Sequence, residues 1–580
     1  MNVFRIKKKS GTYAELLETY GLANLLYNIS MSLNEDVDIV ITDKNLYYEV
    51  SIKLDITNDV LNKLSYFPLF RYVKCEKSDP NIANKVDAYD YLYYKEQKDQ
   101  KREAIDKIRK ELSGKDKLAM RKSKMIEIEA KYPIDVFFDV YSQIITPNNI
   151  VSFNKLYGNF NSNRVLFKEI VNQILIYYAS DVYDTKLFNK FLKQRGCNFD
   201  EKVTATQLYN PHQGQGVNKL KADGLNRTNF KSFWIPETMK ISGALSEMIC
   251  QLVKVGGNYD LKVFVPAYRQ VNYVFKHCLI LDFKKRLKGN TPVKIDILNI
   301  LSLVQIILQH NEYTGKRRKV KDVVCGLHSV YQKDMGQNKA VINVGFIQVP
   351  SYIEIGSKED NEIWIEVIEE QKQIILSMEE EKGAIQGLLM YRNFLSASDI
   401  DNFFAFVYWF ACYAFNRISK KKYIKLFSIE SLNKLYYSMD THNLKLMEII
   451  QNEGFQAIAK AIRNSTVLLQ YTPKENRKFE IRYGVAQLLQ TKSKSAEDLA
   501  AYIGEFIALY NAETARNYEK GGNGRRVTVR EDELNKFYTL LDLYPSYLIG
   551  ALLASYGFAL LKKDISASKE NDDNVDEENL

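Results

Sequence analysis

The alternation of apolar and polar positions changes period several times along the chain. "YAELLETYGLANLLYNI" has helical spacing, with Leu16, Leu17, Tyr20 and Leu22 through Leu26 forming one wide apolar face. "VDIVITDKNLYYEVSIKLD" then predicts a hairpin, with β-branched residues on either side of a polar turn. Residues 85–131 are dominated by charge and predict helices, divided at Ser113–Gly114 and ended by Pro133. In the middle, "DLKVFVPAY" (Asp260–Tyr268) and "AVINVGFIQV" (Ala340–Val349) predict strands, while "ILNILSLVQIILQH" predicts a helix. From Ile363 onward nearly every segment has a helical period. Leu499, Ile503, Phe506, Ile507 and Tyr510 share one face, as do Leu534, Phe537, Tyr538 and Leu541. Thr528 and Glu531 in "TVRE" predict a capping box at the start of the latter helix. The pattern predicts an α+β protein: a mixed α/β domain over 1–355, an all-α bundle over 360–566, and a disordered acidic tail over 567–580.

Charge changes this picture. Six of the 71 acidic residues fall in the last eleven positions, which hold no Lys or Arg, so the preceding residues carry a formal +16 rather than the +10 of the whole chain. A basic body beside an acidic tail points to a polyanionic partner, most simply nucleic acid. The six cysteines form no CxxC pair and the five histidines are dispersed, which argues against a zinc ribbon and a disulfide framework; no metal or cofactor is expected. "MNVFRIKKKSGTY" lacks the apolar run of a secretion signal. Phe403–Phe415 and Tyr547–Leu561 are apolar but shorter than the roughly 20 residues that span a bilayer. They predict buried helices, no membrane partner and a cytoplasmic protein.

No segment commits to catalysis. Asp43, Glu49 and Lys53 suggest a nuclease site, but Glu and Lys four apart on a strand lie about 13 Å from one another, too far to share one metal and its water. "GGNGRR" (Gly521–Arg526) lacks the GK[ST] ending of a phosphate-binding P-loop and reads as a basic loop, with Arg525 and Arg526 as backbone-contact candidates. "KKRLKG" contributes Lys284, Lys285 and Arg286, and "GKRRKVK" contributes Lys316, Arg317, Arg318 and Lys319; both suit phosphates as well as solvent. The most unusual stretch is "NPHQGQGVNKLKADGLNRTNFKSFWIPE" (Asn210–Glu237). Gly214 and Gly216 would let its backbone approach a groove floor, Gln213, Gln215 and Asn218 could meet base edges, Lys219 and Lys221 could hold phosphates, and "FKSFW" would anchor it. A long connector rich in turn residues has the same composition, and composition does not choose between them.

"YNPHQGQGVNKLKADG" followed by "FKSFWIPETMKISG" resembles the central segment of the large subunit of type I CRISPR effector complexes (Cascade), the family-eight Cas proteins, nearest their subtype A and B members. "GFQAIAKAIRNST", "AAYIGEFIALYNAETAR" and "RRVTVREDELNKFYTLLDLYPSYLIGALLASYGFA" are similar to the helical small subunit of the same complexes, which places a small-subunit-like segment over 447–566. The resemblance implies a non-catalytic subunit that binds CRISPR RNA, contacts backbone and small subunits, reads the protospacer-adjacent motif (PAM) of target double-stranded DNA, helps open it, stabilises the R-loop and recruits a helicase-nuclease. Carried onto this chain, it makes Gln213, Gly214, Gln215, Gly216 and Asn218 the PAM-contacting residues. It also makes Met447, or Met439 upstream, a possible internal start for a separate small subunit. The alternative from a different class is a metal-dependent nuclease, or another nucleic-acid-processing enzyme, with an unrecognised site.

Overall fold

The computed structural model describes residues 2–561 except 77, 84–85, 113–117, 134, 146, 181–184, 198, 214–230, 311–317, 337–338, 381–382, 441–444, 473 and 522–525. The expected tail at 567–580 therefore lies outside the described residues. The fold is α+β with a helical C-terminal region, in two units: a mixed unit of Met1–Pro292 with Lys321–Val349, and a helical unit of Val293–Val320 with Pro350–Leu580.

In the mixed unit, the expected hairpin forms between Ile39–Asp43 and Tyr47–Ile52, paired Ile39 to Ile52. Two distant strands extend it. Val3–Lys7 pairs along Tyr47–Ile52 and Gln270–Asn272 pairs along Ile39–Asp43, all antiparallel. A second antiparallel sheet runs in the order Lys339–Gln348, Val324–Asp334, Asn258–Tyr268, Ile249–Val255. Both strands predicted in the middle of the chain are thus present. The charged region forms Tyr91–Glu111 and Leu118–Lys131, which share a small core of Ile108, Leu112 and Ile128.

The opening helix, Ala14–Ser32, departs from its expected single apolar face. Every residue from Ala14 to Leu26 is buried, Glu15 and Glu18 included. It crosses the helix Trp234–Glu247 at two glycines. A Cβ on Gly21 would lie 1.9 Å from the Met239 carbonyl oxygen, and one on Gly243 would lie 1.9 Å from that of Leu17. The two backbones are therefore in direct contact. Beside the crossing, Asn24 Nδ2 donates to Ser242 O and Oγ, both at 3.0 Å, and Asn24 Oδ1 accepts from Tyr273 Oη at 3.0 Å.

The helical unit borrows its first helix, Pro292–Gln309, from the middle of the chain; all but Pro292 belongs to it. This helix has the length and hydropathy of a membrane span, but 83% of it is buried within the structure. Its polar residues Asp296, Asn299, Ser302 and Gln305 recur every three positions and are buried too. Asp296 pairs with Arg392 at 3.0 Å, while Gln305 accepts from Lys372 at 2.9 Å and donates to Glu369 at 3.3 Å. Protein partners for Asp296 and Gln305, at the two ends of the stripe, mark a core helix rather than a lipid-facing one. The predicted buried helices are Ile400–Ser419 and Ser546–Gly557. The expected cap at Thr528 is displaced: the helix begins at Glu531, Arg530 stands at its N-cap, and Glu533 accepts the Arg530 N–H at 2.8 Å. Glu533 lies three residues beyond Arg530, the spacing at which such a carboxylate reaches back, whereas Thr528 precedes the helix by three.

Candidate functional site

The amide-rich segment is held at both ends. Lys202–Thr204 pairs antiparallel with Lys231–Phe233, closing a ladder at its base. On the C-terminal side, Trp234 donates its backbone N–H to Glu201 O and is buried among Phe160, Phe188, Phe199 and Phe233, with ring centroids 5.4–6.5 Å away. On the N-terminal side, Tyr13 Oη donates to Leu208 O at 2.7 Å, and the short turn Pro211–Gln213 closes through Gln213 N–H to Asn210 O at 3.0 Å.

Asn210 is fully buried and makes polar contacts through both ends of its amide. Nδ2 donates to Glu237 Oε2 at 2.8 Å and Oδ1 accepts from Lys240 Nζ at 2.7 Å, while Lys240 also donates to Glu237 Oε1 at 2.8 Å. Burial opposes the Lys240 charge, but Glu237 and then Glu18 outweigh it and hold the ammonium above its ordinary range. Glu18 accepts from Tyr178 Oη at 2.9 Å, and Glu15 accepts from Ser10. His212 sits half-buried beside this cluster, its Nδ1 without a hydrogen-bond partner among the described residues, and burial holds its imidazole below the ordinary value.

This cluster makes stability depend on pH. Burial, reinforced by Glu15 and Glu237, raises the Glu18 carboxyl from an ordinary 4.5 to about 7 against the opposing pull of Lys240 and Tyr178. Between those values the folded state holds a proton that the unfolded chain releases, so stability falls as pH rises from 4.5 to 7. Its contribution changes by about 3 kcal/mol over that window. Denaturant titrations at pH 5 and pH 8 should show this fall, and Glu18→Gln should reduce it. Equal pH dependence in the two proteins would exclude Glu18 as its source.

Of the loop residues named from sequence, only Gln213 is described. It is half-buried with Oε1 turned inward, which makes it part of the anchor. Gly214, Gln215, Gly216, Asn218, Lys219 and Lys221 lie outside the described residues, as do Lys316, Arg317 and Arg525.

Two of the basic candidates are corrected. Lys284 was expected in a phosphate-facing loop but belongs to the last turn of the helix Tyr273–Lys285 and is buried. Its Nζ points toward the carbonyls of Leu245 and Ser246 over the Phe137 ring, and burial brings its ammonium down to about 8. Arg526 was expected in a basic loop, but its guanidinium is enclosed. It donates to Thr514 Oγ1 at 2.7 Å and Tyr510 O at 3.0 Å, pairs with Glu513 at 2.5 Å, and lies over the rings of Phe479 and Tyr510. Neither group faces solvent phosphate. Lys285 is exposed near Asp282, and Arg286 caps the same helix. Arg318 and Lys319 form a half-buried strand paired with Glu354–Ile355 in the helical unit.

The discounted trio stays apart in separate ion pairs: Asp43 with Lys8 at 2.7 Å, Glu49 with Arg5 at 3.5 Å, and Lys53 with Asp38 at 2.8 Å. Met439 closes the helix Ile429–Met439, and Met447 follows in Leu446–Gln451, where the Asp440 carboxylate accepts the Leu446 and Met447 N–H groups. The chain beyond Met447 is bonded to what precedes it. Tyr408 meets Ser493 at 3.0 Å, Tyr436 meets Ser555 at 2.6 Å, and Leu560 pairs with Phe427 and Ile429 through the backbone.

What sequence reasoning missed is the buried Glu18–Glu237–Lys240 set. Its only sequence signal was the presence of acids within an otherwise apolar helix. The chain matches no family model and no curated protein.

Proposed function

We propose that the chain is the non-catalytic large subunit of a cytoplasmic CRISPR RNA-guided DNA surveillance complex, in which the segment after Gln213 meets the PAM duplex. The observation that carries this reading is the anchoring of that segment. Buried polar bonds at Asn210 and an aromatic cage at Trp234 fix both ends of a stretch rich in glycine, amide and lysine. A contact loop benefits from fixed ends because less freedom is lost when it meets its target. The basic body and the two sequence resemblances also support the reading. Sequence choice would pass to guide pairing, as in other RNA-guided effectors, leaving the protein to read shape and the PAM.

The test is the Gln215→Ala, Asn218→Ala double variant, assembled with guide RNA and backbone subunits. Assembly should be unchanged, while preference for PAM-containing over PAM-free duplex falls at least about tenfold, the scale of one lost base contact. Wild-type preference in the double variant would remove the segment from PAM recognition.

A further inference from the structure

The end of the described chain is fixed close to a run of unmatched cations. Leu560 accepts the Ile429 N–H at 2.9 Å and donates its own N–H to Phe427 O at 3.0 Å, so the backbone leaves the fold beside Ser428. Shortly before that bridge, the helix Ile400–Ser419 ends in a tight turn. Lys422 N–H donates to Arg417 O at 3.0 Å and Lys421 N–H donates to Ile418 O at 2.9 Å, with Lys421 in the left-handed region at φ 57°. Glycine is the usual residue at such a helix end. Lysine stands there instead, and Lys420, Lys421 and Lys422 are all exposed.

The turn holds more positive charge than its surroundings match. Arg417 and Lys422 share the Glu379 carboxylate, Lys422 at 3.7 Å. Lys420 and Lys421 make no ion pair among the described residues. The carbonyl end of the helix attracts them, but it supplies only about half a unit of negative charge against two unpaired ammonium groups.

The chain beyond Leu561 carries the missing charge. Residues 562–569 hold three lysines and Asp564, after which Glu570, Asp572, Asp573, Asp576, Glu577 and Glu578 follow without a base. The chain is long enough for the two to meet. Lys422 precedes Phe427 by five residues and therefore lies within about 19 Å of it. The nine residues between Leu560 and Glu570 reach about 30 Å when extended.

We propose that residues 570–578 fold back onto residues 420–422 and cover them, so that any other polyanion must displace this segment. Exposed ion pairs are weak one at a time, but a short tether holds the acids at an effective concentration on the order of millimolar and lets several act together. The same exposure makes the contact sensitive to salt. Neither partner in it uses the amide-rich segment, so its failure and that of PAM reading are distinguishable.

Amine acetylation followed by mass spectrometry reads the contact on the full chain. The comparison is a variant of equal length carrying Glu570→Gln, Asp572→Asn, Asp573→Asn, Asp576→Asn, Glu577→Gln and Glu578→Gln. At about 50 mM salt the three lysines of the turn should label at least about threefold more slowly in the native chain than in the variant, and near about 1 M salt the difference should vanish. Lys460, exposed on the helix Glu453–Ser465, should label alike in both. Protection should survive dilution, as a contact within one chain does. Equal labelling of the turn overturns the proposal, and so does equal protection of Lys460. Protection lost on dilution assigns the acids to a second copy and overturns it too. A second measurement asks whether the contact covers the turn. The variant should bind a short oligothymidylate at least about threefold tighter than the native chain. Adding Lys420→Gln, Lys421→Asn and Lys422→Gln to both proteins should remove that gain, asparagine being chosen because it tolerates the left-handed region. A gain that persists without the lysines belongs to net charge alone and overturns the covering.

Discussion

Gly21→Ala is expected to destabilise the mixed unit by about 3 kcal/mol or more, at the upper end of what overpacking does. The added methyl would need to sit 1.9 Å from the Met239 carbonyl oxygen, against an ordinary contact of 3.4–4 Å. The obstructing atom is backbone, so no rotamer change relieves the overlap and the two helices must separate. Separation also strains the Asn24 bonds to Ser242 beside the crossing. Gly243→Ala meets the same interface from the other side and should behave alike. The double variant should then lose less than the sum of the two, since one separation accommodates both methyls. Gly158→Ala is the control: nothing lies within 4 Å of its added Cβ, and alanine is the better helix former. Hydrogen exchange over 14–32 and 234–247, with denaturant midpoints, gives the measurement. Wild-type protection in Gly21→Ala would show that the backbones do not touch as described.

The second large effect is expected at Lys240. Lys240→Ala removes the ammonium that Asn210 and Glu237 both contact in a site where both are fully buried. A carboxylate left in that position without its cation destabilises the fold by about 3–5 kcal/mol. Glu237→Leu should cost a similar amount, because it strands the lysine instead. Combining Lys240→Met with Glu237→Leu should be milder than either single change, since removing both charges removes the desolvation penalty. Exchange of the Gln213 N–H, which bonds Asn210 O, reports whether the loop anchor fails with the ion pair. Additive losses in the double variant would mean that the two groups do not interact.

What was legible in the sequence is what depends on local period. The hairpin at Ile39–Ile52 and the long strands near 260 and 340 announce themselves by β-branched alternation. The helices after 358 do so by spacing that neighbouring residues alone determine. The sheet's outer strands were not legible. Val3–Lys7 and Gln270–Asn272 are short, and each pairs with the hairpin across a long sequence separation. Charge misled for the same reason. Lys284 and Arg526 sit in runs that look solvated, but their partners are carbonyls, rings and a carboxylate contributed by other elements. At the candidate site, the anchors at Asn210 and Trp234 could be suspected from "NP" and "FW". The lysine and glutamate that secure Asn210 could not be identified, because nothing in "IPETMKISG" indicates that this helix is buried nearly all round, its charged positions included.

The path of the chain has a consequence for its synthesis. The backbone passes from one unit to the other at 292, at 320 and again at 349. A ribosome therefore releases the apolar helix Pro292–Gln309 well before Glu369, Lys372 and Arg392, which match its buried polar stripe, have been made. Until then a helix with a wide apolar surface and an unmatched polar stripe is exposed to chaperones and to other nascent chains. The same interval prevents a clean dissection at residue 349: the N-terminal piece would carry that helix without its partners, and the C-terminal piece would leave Glu369, Lys372 and Arg392 without the polar stripe they meet.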